Sequence, residues 1–220
     1  MPRPALSEEV VQEQRERALR AASALFSRHG VESVSVRAIA QALKVSPMGL
    51  YRYFPGGKAE LLATIRGRGF EQLAVELEQA RAETEDPLDR ILRLLRAMLR
   101  FATRQPELYR MMFDVTQPEE RDEYLATRRA RAWQPAFTSF EAAIRAGVLR
   151  GDPRTVPHLF FAGVHGVIAF EHSTQPYANR RLDRLIGPML ETLFRGSGGS
   201  LATLRRVRQT FRTPKHPPDT

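Results

Sequence analysis

Val34-Ser35-Val36-Arg37-Ala38-Ile39-Ala40-Gln41-Ala42-Leu43-Lys44-Val45-Ser46-Pro47-Met48-Gly49-Leu50-Tyr51-Arg52-Tyr53-Phe54 is the part of this chain whose pattern says most about its fold. It predicts a short amphipathic helix, a tight turn and a second short helix. Ser35 stands where a hydroxyl caps the first helix, and Ile39, Ala40 and Leu43 supply its buried face. Ala40 is small where the next helix must cross closely, and Val45 is expected to plug the turn. Ser46 caps the second helix, with Pro47 at its first position, where a missing N–H costs nothing. Leu50 and Phe54, four residues apart, turn inward. That leaves Pro47, Met48, Gly49, Tyr51, Arg52 and Tyr53 on the outer side.

This arrangement fits a helix-turn-helix, whose second helix enters the major groove of double-stranded DNA N-terminus first. The outer residues suit that task. Hydroxyls and cations meet phosphates, an apolar side chain meets a thymine methyl, and glycine lets the backbone approach closely. Short Ala-rich hairpins without any DNA role share the spacing, so spacing alone leaves both readings open.

The rest of the chain is also helical in period, which makes the predicted fold all-α. Val11, Ala18, Leu19, Ala22, Leu25 and Phe26 lie on one face of a first helix that begins near Ser7 and stops at His29-Gly30. Further stripes run from Leu88 to Ala102, from Trp133 to Ile144 and from Leu182 to Leu193. No segment alternates long enough to make a sheet. Three regions are expected: a helix-turn-helix domain at 8–62, a helical ligand-binding and dimerisation domain at 63–195, and a basic, mobile tail at 196–220 with a short helical turn near 201–211.

The 220 residues are 42% hydrophobic, carry a formal charge of +9 and include no cysteine. Without cysteine, disulfides, thiolate metal sites and a Cys nucleophile are all excluded. The basic balance raises the odds of a polyanionic partner, although solvated basic helix faces give the same excess. No apolar run is long enough for a membrane span, and no signal-type segment follows Met1, so a cytoplasmic location is expected. There is no phosphate-cradling glycine loop, no G-x-S-x-G elbow and no H-E-x-x-H, so a non-enzymatic role is expected, with no cofactor.

Residues from about Val10 to Leu62 resemble the DNA-binding domain of the TetR (tetracycline-repressor) family. The resemblance rests on Ala24-Leu25-Phe26, His29-Gly30, Ser35 to Ala40, Val45-Ser46, Leu50 to Phe54, and Lys58 followed by Glu60-Leu61-Leu62. It implies a dimer on a palindromic operator, usually a repressor, released when a small molecule enters the C-terminal domain. By motif position it implies phosphate contacts at Ser35, Tyr51, Tyr53 and Lys58, and base-edge or groove contacts at Pro47, Met48, Gly49 and Arg52, beside the cap Ser46. Two departures stand out. Lys44 occupies a turn position that is often glycine, at a cost of about 1 kcal/mol if its backbone is left-handed. Pro55-Gly56-Gly57 makes the step from Phe54 to Lys58 one residue longer than the commonest pattern.

Residues 65–195 resemble, less specifically, the ligand-binding and dimerisation half of the same family. Leu149 to Pro153 and Gly163-Val164-His165-Gly166 resemble a subgroup named for a Trp-His-Gly motif, with valine replacing the tryptophan. The resemblance places the homodimer on helices near 154–174 and 180–195. The segment from Phe160 to Phe170 is apolar nearly all round and so needs cover on every side. Met111, Met112, Phe113, Trp133, Phe137, Phe161 and His165 are the candidate pocket residues for a hydrophobic or aromatic effector, though methionines and aromatics at helical spacing are more often core than pocket, and His165 is as readily a satisfied core histidine. His158, His165 and His172 repeat every seven residues, a rise of about 10.5 Å, too far for two ligands of one ion; no metal site is expected. The alternatives are a transcriptional activator and a sequence-nonspecific basic DNA-binding protein. A third is attachment to anionic membrane through Arg205, Arg206, Arg208, Arg212 and Lys215, although no membrane partner is expected.

Overall fold

A computed structural model describes residues 7–113, 123–171 and 182–211. These residues form helices α1 (Glu8–His29), α2 (Val36–Ala42), α3 (Pro47–Tyr53), α4 (Gly57–Ala82) and α5 (Pro87–Arg104). They continue through α6 (Pro106–Phe113), α7 (Glu123–Arg145), α8 (Val156–Glu171), α9 (Leu182–Gly196) and α10 (Leu201–Thr210). No strand occurs among them. The chain divides into two compact units, Met1–Gln72 with Gln105–Arg131, and Leu73–Arg104 with Ala132–Thr220. That division differs from the boundary at 62 and 63 expected from sequence, because α4 runs unbroken past it and α6 belongs to the first unit.

In the first unit, Ser7 Oγ accepts from the Val10 amide and caps α1, while Gly30, at φ 77°, closes the helix through a bond to the Phe26 carbonyl. The amphipathic face of α1 then buries Leu19, Ala22 and Phe26 against Ile39, Leu50, Phe54, Leu61 and Leu62. Met111 of α6 joins the same core. Met112 is buried beside Gly69, where an added Cβ would stand 2.6 Å from its sulfur. The buried Arg66 donates from Nη2 to the Met112 carbonyl at 3.1 Å. Phe113 meets Phe70 edge-on at 5.4 Å and Tyr109 at 4.6 Å. Met111, Met112 and Phe113 are therefore packing residues of the first unit, a correction to their expected place in a ligand pocket. Their spacing suits either role, and Gly69 and Arg66 decide it.

In the second unit α8 packs on α9. Gly163 permits the approach, since a Cβ there would lie 2.6 Å from Met189 Sδ. Phe160 sits between Phe140, at 4.9 Å, and Phe194, edge-to-face at 4.8 Å. Leu159 and Phe170 of α8 remain more than half exposed, so the single chain leaves part of this apolar helix uncovered. His172 and Thr174 lie outside the described residues.

The segment after Gly196 is the main departure from the expected organisation. Residues up to 211 are packed, so the expected loose tail does not hold there; Arg212 and Lys215 lie outside the described residues. Ser200 caps α10, its Oγ accepting from the Thr203 amide at 3.1 Å, and Leu204 and Val207 are buried. Arg206 pairs with Asp86 at 3.0 Å, and Arg96 donates to the Thr210 carbonyl at 2.7 Å. The basic composition hid an apolar stripe of only two or three residues, which becomes stable once α5 and α9 cover it.

Two outcomes follow from α10. Leu204→Ala should lower stability by about 2–4 kcal/mol in urea unfolding, where a loose tail would show no change. Glu191 accepts from Arg208 Nε at 2.7 Å and from Arg195 Nη2 at 2.9 Å. These guanidiniums, Arg208 foremost, hold its carboxyl down from 4.5 to about 2. A depressed folded-state value stabilises fully above the unfolded value and is lost as pH falls through the folded one. Melting temperatures between pH 4.5 and 2 should therefore fall more steeply for the wild type than for Glu191→Gln.

Candidate nucleic-acid interface

The geometry of α2 and α3 follows from their caps. Ser35 Oγ accepts from the Ala38 amide at 3.1 Å, and Ser46 Oγ from the Gly49 amide at 3.0 Å. Between the helices Lys44 adopts φ 58°, the left-handed conformation, and its amide bonds to the Gln41 carbonyl at 3.0 Å. A lysine is tolerated there at about 1 kcal/mol, with its side chain exposed to solvent. Val45 is 36% exposed, so it only partly fills the turn it was expected to plug. The turn is held instead by backbone, the Val45 amide bonding to the Ala40 carbonyl at 3.0 Å.

Leu50 and Phe54 are fully buried, and this sets the roll of α3. Pro47, Met48, Tyr51 and Arg52 consequently face solvent, with Met48 77% exposed, while Gly49 is half-buried. Tyr53 differs from its expected outward position. It is half-buried and packs against the core, because at 100° per residue it sits only about 60° around the helix from Leu50.

The far end of α3 is held by residues that the motif does not include. Arg15 of α1 donates from Nη1 to the Tyr53 carbonyl, stacks its guanidinium 4.2 Å from the Phe54 ring centre, and pairs with Glu60 at 3.3 Å. Glu60 in turn accepts from the Gly56 amide at 2.9 Å. One ion pair thus joins α1, the C-terminus of α3 and the first turn of α4. The signal in the sequence was a charged residue between Val11 and Leu19, on the face of α1 that turns inward. The extra residue in Pro55-Gly56-Gly57 is absorbed by Gly57 at φ 59°. Lys58 then falls in the first turn of α4, half-exposed, with its Nζ 3.5 Å from the Glu32 carbonyl.

The second unit holds a partly open cavity of about 140 Å³ lined by Leu77, Leu94, Leu95, Met98, Trp133, Ala136, Phe137, Phe140, Pro157, His158, Phe160 and Phe161. Trp133 meets Phe161 edge-on at 4.3 Å. Of the expected pocket residues, Trp133, Phe137 and Phe161 line it. His165 does not; its ring stacks on Phe161 at 5.6 Å instead of reaching the space. His158 lines the cavity although sequence reasoning treated it only as a metal candidate.

Gly57 also leaves room for Tyr51, whose Cε1 would lie 2.9 Å from a Cβ at that position. Gly57→Ala should therefore weaken binding to duplex DNA about tenfold with unchanged helix content. Because Tyr51→Ala removes the clashing ring, the double variant should bind little worse than Tyr51→Ala alone, and a fully additive loss would refute the coupling.

Comparison with known proteins agrees with this geometry. Residues 18–65 match the family described as bacterial regulatory proteins, tetR family, and residues 91–193 match the tetracyclin repressor-like C-terminal domain. The HTH-type transcriptional repressor KstR of Mycolicibacterium smegmatis is 35% identical over 107 residues, 49% of this chain and 52% of that protein. The chain thus spans about half the length of the curated relatives it matches. The TetR family regulator PfmR from Thermus thermophilus is 25% identical with a TM-score of 0.63, covering 81% of this chain and 97% of that one. RolR in complex with the ligand resorcinol shares the fold at 17% identity and a TM-score of 0.63, covering 94% of this chain and 97% of that one. With both halves matched in order and the helix-turn-helix geometry in place, the chain belongs to the TetR family, whose members are DNA-binding transcription regulators rather than enzymes.

Proposed function

We propose that this protein is a dimeric transcriptional repressor that binds a palindromic operator and is released by a small apolar effector. The observation that carries the reading is α3 itself. Its apolar side is locked into the core at Leu50 and Phe54, so Met48, Tyr51 and Arg52 are presented rigidly to solvent. Ser35 and Lys58 flank them as phosphate contacts, and the amides at the start of α4 add donors for an anion. Tyr53, with its ring against the core, contributes position more than contact.

Two further features support the regulatory part. The uncovered apolar residues Leu159 and Phe170 of α8 fit a twofold pairing of α8 and α9 with a second copy. The cavity offers the effector an almost entirely hydrocarbon and aromatic lining. Attachment to anionic membrane through the C-terminal arginines gains no support, since Arg206 and Arg208 are already paired with Asp86 and Glu191. Among the described residues, no helix is long and apolar enough to cross a membrane.

The test separates positioning from reading. Lys58→Ala should weaken binding to every duplex and reduce the slope of log K against log salt by about 0.9. Met48→Ala should leave that slope unchanged and alter operator preference by about 1–3 kcal/mol at one base pair per half-site. A protein that selects no site over random DNA by about a thousandfold is not a sequence-specific repressor.

A further inference from the structure

We propose that the cavity of the second unit receives a neutral single-ring phenol, whose hydroxyl donates to Nε2 of His158. This rests on reading the cavity as the effector site and adds the chemistry of what enters it.

Size sets the first limit. A dry apolar cavity of about 150 Å³ is enough to hold benzene, and the space here is about 140 Å³. A single ring matches that volume. Shape and charge set the next limits. The walls are dominated by the rings of Trp133, Phe137, Phe160 and Phe161, which favour a flat aromatic guest through offset and edge contacts. Among the described residues that line the cavity there is no Lys, Arg, Asp or Glu, so a carboxylate or phosphate entering it would lose hydration with no fixed charge opposite.

His158 supplies the remaining requirement. Its Nδ1 lies 2.6 Å from the Arg154 carbonyl, and a carbonyl only accepts, so Nδ1 carries the hydrogen. In the neutral ring, Nε2 is then left with a lone pair, an acceptor that calls for a donor on the ligand. The ring is braced against Phe137 at 5.1 Å, and the residue lines the cavity while remaining exposed to solvent. A phenolic hydroxyl, with an ionisation near that of tyrosine at about 10, is a neutral donor at pH 7.

Trp133 is the single tryptophan of the chain, so quenching of its fluorescence reports entry of a ring directly. The full-length protein is titrated with p-cresol, with p-xylene, in which a methyl group replaces the hydroxyl, and with benzoate. The expected result is that p-cresol binds about tenfold more tightly than p-xylene, and benzoate more weakly than either. His158→Phe should retain p-xylene binding and abolish the preference for p-cresol. Equal binding of p-cresol and p-xylene to the wild type, or a preference that survives in His158→Phe, overturns the hydroxyl–histidine contact while leaving the cavity as a site for apolar rings. Tighter binding of benzoate overturns the neutral-ligand assignment. If neither p-cresol nor p-xylene quenches Trp133, both the phenol proposal and the reading of the cavity as effector site fall.

Discussion

A helix of seven residues has little stability of its own in water, and α3 exists only because its surroundings hold it at each end. Ser46 satisfies the first amides, Leu50 and Phe54 bury its inner side, and Arg15 takes up the Tyr53 carbonyl at its last turn. Met48, Tyr51 and Arg52, the residues of α3 proposed to meet DNA, depend on that clamp. Rolling α3 by one residue would bring Met48 and Arg52 toward the core and expose Leu50, at a hydrophobic cost of about 2 kcal/mol for the leucine alone. The outer face is therefore as well defined as the inner one.

The same logic explains the placing of charge in the first unit. Arg15 and Glu60 are partly shielded and share one ion pair with several hydrogen bonds around it, which satisfies groups that would otherwise be stranded near the core. Arg68 and Glu16 form a second pair, 2.7 Å apart, and Arg68 is the first cause of the lowered pKa of Glu16. Both pairs are open enough to solvent to contribute modestly to stability. What they add is geometry, because a bidentate guanidinium fixes direction as well as distance.

The second unit shows a different economy. Its aromatic residues are packed in edge-to-face pairs around a space that they do not fill. A guest of matching shape would supply the contacts those rings lack on the open side. Elsewhere in the unit the packing is close, at Gly163 against Met189 and of α10 over Leu204 and Val207.

Much of this was legible before any coordinates. Local signals, namely the serine caps, Pro47 at a first helical position, Gly30 at a helix end and the spacing of Leu50 and Phe54, set out the helix-turn-helix unaided, because caps and periodicity act within a single turn. Tertiary structure alone decided the rest, because each point depends on which distant group lies opposite. Tyr53 turned inward beside Leu50, and Arg15 found the end of α3 thirty-eight residues away. Met111 to Phe113 went to a core rather than a cavity, since Arg66 and Gly69 receive them. The short stripe of α10 became a packed helix only because α5 and α9 supply its apolar cover and its carboxylates. Short-range chemistry marked where most of the helices begin and stop. Long-range packing determined which of their side chains are left free to bind.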